Sequence, residues 1–121
     1  MSKTIMIVDD SRVSRMMIKA IVQQRHPDWA IQEADNGASA LECAQEASID
    51  FFSVDYNMPG DDGLTVIEKL RAQHADSRFA LLTANIQEAV RSRAYELQVL
   101  CVNKPITETS VGEILEYFAD E

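Results

Sequence analysis

Ile5-Met6-Ile7-Val8-Asp9-Asp10-Ser11 runs directly into Arg12-Val13-Ser14-Arg15-Met16-Met17-Ile18-Lys19-Ala20-Ile21, and the change of pattern across this junction decides the fold class. Four consecutive apolar residues suit a short strand buried on both faces, as in a parallel sheet. Beyond the acidic pair, Val13, Met16, Met17, Ala20 and Ile21 recur at helical spacing. This predicts an amphipathic helix with that stripe facing the core, Ser11 as its N-cap and Pro27 closing it. A buried strand feeding such a helix is half of a βαβ unit.

The same alternation repeats outward along the chain. Short apolar runs at residues 5–8, 30–34, 51–54, 79–82 and 100–102 are separated by segments of helical spacing. The stripes are Ala38, Leu41 and Ala44; Val66, Ile67 and Leu70; Ile86, Val90, Ala94 and Leu97; and Val111, Ile114, Leu115 and Phe118. Thr107 is placed to cap the last helix, Asn36-Gly37 reads as a turn, and Met58-Pro59-Gly60-Asp61-Asp62-Gly63 reads as a loop. Five strand-helix pairs with short right-handed crossovers predict an α/β fold, (βα)5, a doubly wound five-stranded parallel sheet with helices on both faces. With 121 residues and no linker or low-complexity segment, residues 1–121 are expected to form one domain.

Charge and composition narrow the function. Eleven Lys and Arg against twenty Asp and Glu give a net charge of −9, so the surface should repel nucleic acid and anionic lipid. The N-terminal apolar run is too short for a signal peptide or a membrane span, and a cytoplasmic protein without membrane insertion is expected. Cys43 and Cys101 lack metal-ligand spacing and read as reduced, partly buried thiols. His26 and His74 also lack such spacing. Tyr56 is expected at a pocket rim, Tyr95 exposed on a helix, and Met16 and Met17 in the core or a groove.

In a doubly wound sheet, ligands bind where the carboxyl ends of the strands meet the following loops. Asp9 and Asp10 follow the first strand, Asp55 and Thr83 end the third and fourth, and Lys104 follows the fifth. The topology therefore gathers three carboxylates, a hydroxyl and an amine into one pocket. Each close carboxylate pair costs about 1 to 4 kcal/mol at ~4 Å, so the cluster calls for a cation. Oxygen ligands alone favour a hard divalent ion, and a site with few protein ligands that leaves room for water and a phosphate oxygen suits Mg²⁺.

Val8-Asp9-Asp10-Ser11, Asp55-Tyr56-Asn57-Met58-Pro59-Gly60 with Gly63, Leu82-Thr83-Ala84 and Lys104-Pro105, in this order, resemble the motifs of the response-regulator receiver domain, which has a flavodoxin-like fold. The resemblance spans the whole chain and is greatest to the stand-alone receivers of chemotaxis-type pathways. It implies that Asp55 is the phosphoacceptor, with Asp9, Asp10, Asp55 and the backbone carbonyl of Asn57 around Mg²⁺. Thr83, helped by the amide of Ala84, and Lys104 would contact the phosphoryl group. The resemblance also implies a cis bond before Pro105, and control of phosphoryl lifetime by the side chains of Asn57 and Asn85. The implied partners are a sensor histidine kinase or phosphotransfer protein, and a downstream target protein on the face of the fourth helix, fifth strand and fifth helix. A monomer or weak dimer is expected.

One departure stands out: Cys101 occupies a position where the family often has Tyr or Phe, so a switch by ring rotation there is absent. A flavin-carrying protein of the same topology is disfavoured because Asp9-Asp10 would repel a flavin phosphate. An aspartyl phosphohydrolase commonly has a second carboxylate two residues after the nucleophile, where this chain has Asn57. The expected activity is therefore that of a phosphoacceptor signalling protein with self-catalysed phosphotransfer and autodephosphorylation, not a turnover enzyme. The alternative within the fold is a receiver-like interaction module independent of phosphorylation.

Overall fold

The computed structural model describes residues 3–84 and 86–119. Strands β1 (Thr4–Val8), β2 (Ala30–Ala34), β3 (Phe51–Asp55), β4 (Arg78–Thr83) and β5 (Leu100–Asn103) alternate with helices α1 (Arg12–Arg25), α2 (Gly37–Gln45), α3 (Gly63–Gln73), α4 (Glu88–Glu96) and α5 (Glu108–Ala119). The strands form one parallel sheet in the order β2-β1-β3-β4-β5, the predicted doubly wound arrangement. The chain reverses its direction of winding between β1 and β3, which makes their carboxyl ends the topological switch point.

Both faces of the sheet are covered, which accounts for strands that are apolar at almost every position. Met6, Val8, Phe52, Val54, Phe79 and Leu81 face a core completed by α2, α3 and α4. Ile5, Ile7, Phe51, Ala80, Leu82 and Val102 face a second core with α1 and α5. Full burial of each Leu, Ile or Phe contributes about 1.5 to 3 kcal/mol, so the three central strands anchor the fold. Among the described residues, no helix is long and apolar enough to cross a membrane.

The predicted caps at Ser11 and Thr107 are present: the Ser11 side chain accepts from the Ser14 amide, and Thr107 Oγ1 accepts from the Ser110 amide at 3.1 Å. Pro27 lies just beyond His26, the C-cap of α1. Asn36-Gly37 is a helix start, not a free turn, because Asn36 Oδ1 accepts from the Ser39 amide at 2.8 Å and caps α2.

The predicted core stripe of α1 is wrong. Val13, Met16 and Met17 are 66%, 59% and 44% exposed and Ala20 is also exposed, while Ile18 and Val22 are buried and Ile21 is half-buried. The helix is apolar on two faces, and polar anchoring decides which one turns inward. Arg15 Nη1 donates to the Asp9 carbonyl at 2.6 Å and its Nε to Glu33 at 3.1 Å. These contacts set the rotation of the helix and leave the methionine face in solvent. In α2 the buried line is Gly37, Ala40 and Ala44, with Ala38 exposed. Cys43 is exposed and Cys101 half-buried, both as free thiols. The stripes of α3 and α5 are buried as expected, as are Val90 and Ala94 of α4.

Candidate functional site

The carboxyl ends of β1 and β3 lie side by side, with Val8 in register with Val54, so the residues that follow them must meet. One carboxylate oxygen from each of Asp9, Asp10 and Asp55 lies within 4.8 Å of the others. Asp9 and Asp55 are 1% and 4% exposed, whereas Asp10 faces solvent at the mouth. Lys104, on the loop after β5, reaches back across β4. Its Nζ lies 3.1 Å from Asp55 Oδ1 and 3.6 Å from Asp9 Oδ2.

Local structure fixes each carboxylate. The Asp9 amide donates to the Ala34 carbonyl at 3.1 Å, and Asp9 Oδ1 accepts from the Ser11 amide at 2.9 Å where α1 begins. Asp55 is the last residue of β3. Behind it Gly63 opens α3, with its amide bonded to the Tyr56 carbonyl at 2.9 Å. A Cβ at Gly63 would run into the Asp55 carbonyl and lie 2.8 Å from both Leu81 Cδ1 and Tyr56 Cα, so only glycine permits this close approach.

Of the other residues singled out in the sequence, Thr83 ends β4 and is buried, and its carbonyl accepts from the Lys104 amide at 2.9 Å. Ala84 follows it and is exposed. Asn57 is exposed in the loop beyond Asp55, at the same edge of the sheet. Tyr56 is half-buried beside it, and the bond before Pro105 is cis. Asn85 lies outside the described residues. The sequence reading missed Arg15, whose guanidinium reaches the backbone of Asp9. Its signal was a basic residue one helical turn past the cap, opposite the methionine face.

One lysine does not balance three carboxylates. Burial, and then the charge of Asp9, push the Asp55 carboxyl up to about 6 even though Lys104 opposes the shift. Burial also raises Asp9. Burial alone would lower the Lys104 ammonium, but its bond to Asp55 and the charges of Asp55 and Asp9 raise it overall. Asp9 Oδ2 is buried without a hydrogen-bond donor, since Lys104 at 3.6 Å stands beyond bonding reach. An orphaned carboxylate oxygen facing two further carboxylates, with oxygen donors only, fits a hard divalent cation.

Comparison with known proteins agrees with this geometry. The family model described as response regulator receiver domain matches residues 5–116. The chemotaxis protein CheY of Bacillus subtilis is 36% identical over 90 residues, which cover 74% of either chain. Several further relatives are longer proteins, such as the B. subtilis transcriptional regulator ResD, of which the match spans 37%. The crystal structure of Vibrio cholerae CheY4 superposes with a TM-score of 0.87 at 22% identity, covering 98% of this chain and 99% of that one, which shows the shared fold. The response regulator TrrA of Thermotoga maritima, solved in complex with Mg²⁺ and BeF, gives a TM-score of 0.81 at 28% identity over 96% of this chain and 98% of its own.

Proposed function

The chain belongs to the response regulator receiver family, the receiver domains of two-component signalling, and from this premise we propose that it is a phosphorylation-dependent switch whose phosphoacceptor is Asp55. The observation that carries this reading is the position of Asp55 itself: buried at the end of β3, 3.1 Å from the Lys104 ammonium and grouped with Asp9 and Asp10. We read residues 1–121 as one receiver domain.

An Asp55 carboxylate oxygen attacks the phosphorus of a phosphohistidine on a sensor kinase or phosphotransfer protein. The new P–O bond forms as the P–N bond breaks, and the imidazole nitrogen leaves with its electron pair. Lys104 offsets negative charge on the phosphoryl oxygens, and the Thr83 hydroxyl, at the next strand end, hydrogen-bonds one of them. Asp9, Asp10, Asp55 and the Asn57 carbonyl would hold Mg²⁺, the ion present in the TrrA complex. When bound, that ion would neutralise charge shared between the carboxylates and the phosphoryl group.

The exposed Val13, Met16 and Met17 lie on α1 directly after Asp9 and Asp10, so a donor protein has apolar area to grip beside the mouth. Output follows from a population shift: contacts of the phosphoryl group with Thr83 draw in the β4–α4 loop and alter the face of α4, β5 and α5 for a target protein. Asn57 and Asn85 orient or exclude the water that hydrolyses the acyl phosphate. Titration with Mg²⁺ and beryllium fluoride, followed by amide NMR, tests the reading. The expected result is saturable shifts at Asp55, Thr83 and Lys104 that require both components. No shift at these residues at saturating Mg²⁺ would contradict it.

A further inference from the structure

Asp9 and Asp10 are neighbours in the chain, yet the structure fixes them unequally. Asp9 is pinned at three points: its amide donates to the Ala34 carbonyl at 3.1 Å, its Oδ1 accepts from the Ser11 amide at 2.9 Å, and its carbonyl accepts from Arg15 Nη1 at 2.6 Å. Asp10 stands exposed at the mouth, and among the described residues it is in no ion pair. What sets its direction is the peptide that joins it to Asp9. The carbonyl of that peptide is the one that Arg15 holds.

Arg15 is itself held. Its Nε donates to Glu33 Oε1 at 3.1 Å, and Lys19 Nζ approaches the other oxygen, Glu33 Oε2, at 3.6 Å. Glu33 lies near the carboxyl end of β2, in register with Ile7 of β1, so the guanidinium bridges α1 to the strand beside Asp9. The Arg15 side chain is only 15% exposed, which limits the competition of water for either bond. A planar guanidinium donating in two directions fixes a peptide plane that a single flexible ammonium would leave free to rock.

We propose that Arg15 is a positioning residue of this pocket: by holding the peptide between Asp9 and Asp10 it aims the Asp10 carboxylate at the cation site shared with Asp9 and Asp55. This rests on the reading that these carboxylates hold Mg²⁺. Charge alone argues the other way. A positive charge beside the pocket repels a cation, so an Arg15 that acted only through its charge would weaken Mg²⁺ binding, and neutralising it would strengthen binding. A positioning Arg15 has the opposite sign, because its removal loosens one of the three carboxylates. A role confined to docking α1 would lower the stability of the helix and leave the Mg²⁺ affinity of the folded protein unchanged.

The full chain is compared with Arg15→Gln, Arg15→Lys and Arg12→Gln by Mg²⁺ titration followed by amide NMR, and by amide nitrogen relaxation in EDTA. Arg12, exposed at the start of α1, supplies the charge control. Arg15→Gln should weaken Mg²⁺ binding about 10-fold. Arg15→Lys should recover only part of that loss, and Arg12→Gln should bind as well as the wild type or better. Without metal, the order parameter of the Asp10 amide should fall in Arg15→Gln from about 0.85 toward about 0.6, with α1 unchanged. Unchanged or tighter Mg²⁺ binding by Arg15→Gln would overturn the proposal, as would equal weakening by Arg12→Gln or a loss of order spread along α1. A wild type without saturable Mg²⁺ shifts would contradict the Mg²⁺ reading itself and remove this role with it. Saturable wild-type binding that Arg15→Gln does not weaken removes the role alone.

Discussion

Asp55 is a carboxylate kept almost out of water beside another, and this burial disfavours its ionised form. Burial and the Asp9 charge raise its pKa to about 6, so the folded, metal-free protein binds a proton more tightly than the unfolded chain does. The resulting stabilisation is present below the unfolded carboxyl's range and is lost as pH rises through about 6. Asp9 shifts in the same direction. In EDTA, lowering the pH from 7.5 to 5 should therefore raise stability, with Asp55 contributing on the order of 1 to 3 kcal/mol at full protonation. The Asp55→Asn variant should lose that part of the gain. Urea midpoints at the two pH values check this, and a parallel response of both proteins would contradict it. The site was legible at this scale because strand-end residues are brought together by topology alone: Asp9, Asp10, Asp55 and Lys104 needed no side-chain geometry to be grouped. Arg15 was not legible, because its reach to the Asp9 carbonyl depends on how α1 is rotated.

At the scale of elements, α3 is seated against the strand ends through Gly63. Alanine there has to displace the Asp55 backbone or Leu81, and Gly63→Ala should cost about 1 to 3 kcal/mol. An unchanged urea midpoint would contradict the close approach. Helix α4 is tied to α3 by Arg93, whose Nη2 bonds Glu68 Oε1 at 2.8 Å and Thr65 Oγ1 at 3.0 Å, while Nη1 lies 3.4 Å from Asp62 Oδ2. The arginine side chain is 38% exposed, so solvent screens the pairs and Arg93→Ala should cost only about 0.5 to 1 kcal/mol. Its local effect should be clearer: faster hydrogen exchange in α4, with α5 unchanged. Uniform acceleration across the sheet would show that Arg93 stabilises the whole fold and not this helix. The sequence pattern located all five helices, yet it turned α1 the wrong way. Ile18 and Val22 are an i, i+4 pair as good as Met16 and Ala20, and periodicity does not choose between two apolar faces. In α3 and α5 the buried stripe has no comparable rival, and there the reading agrees with the structure.

For the whole molecule, the order β2-β1-β3-β4-β5 is what turns scattered residues into a pocket, since it sets β1 beside β3 and places β4 between β3 and β5. Strands apolar on both faces implied a sheet covered on both sides, and short connections limited how it could be wound. The pocket's proposed chemistry is acceptance of a phosphoryl group on one carboxylate, Asp55. The direct measurement is intact mass after incubation with acetyl phosphate, comparing wild type with Asp55→Asn, in Mg²⁺ and in EDTA. Phosphoryl transfer to Asp55 gives one adduct on the wild type in Mg²⁺ and none in the other three samples. Equal labelling of Asp55→Asn, or no adduct on the wild type, would contradict it.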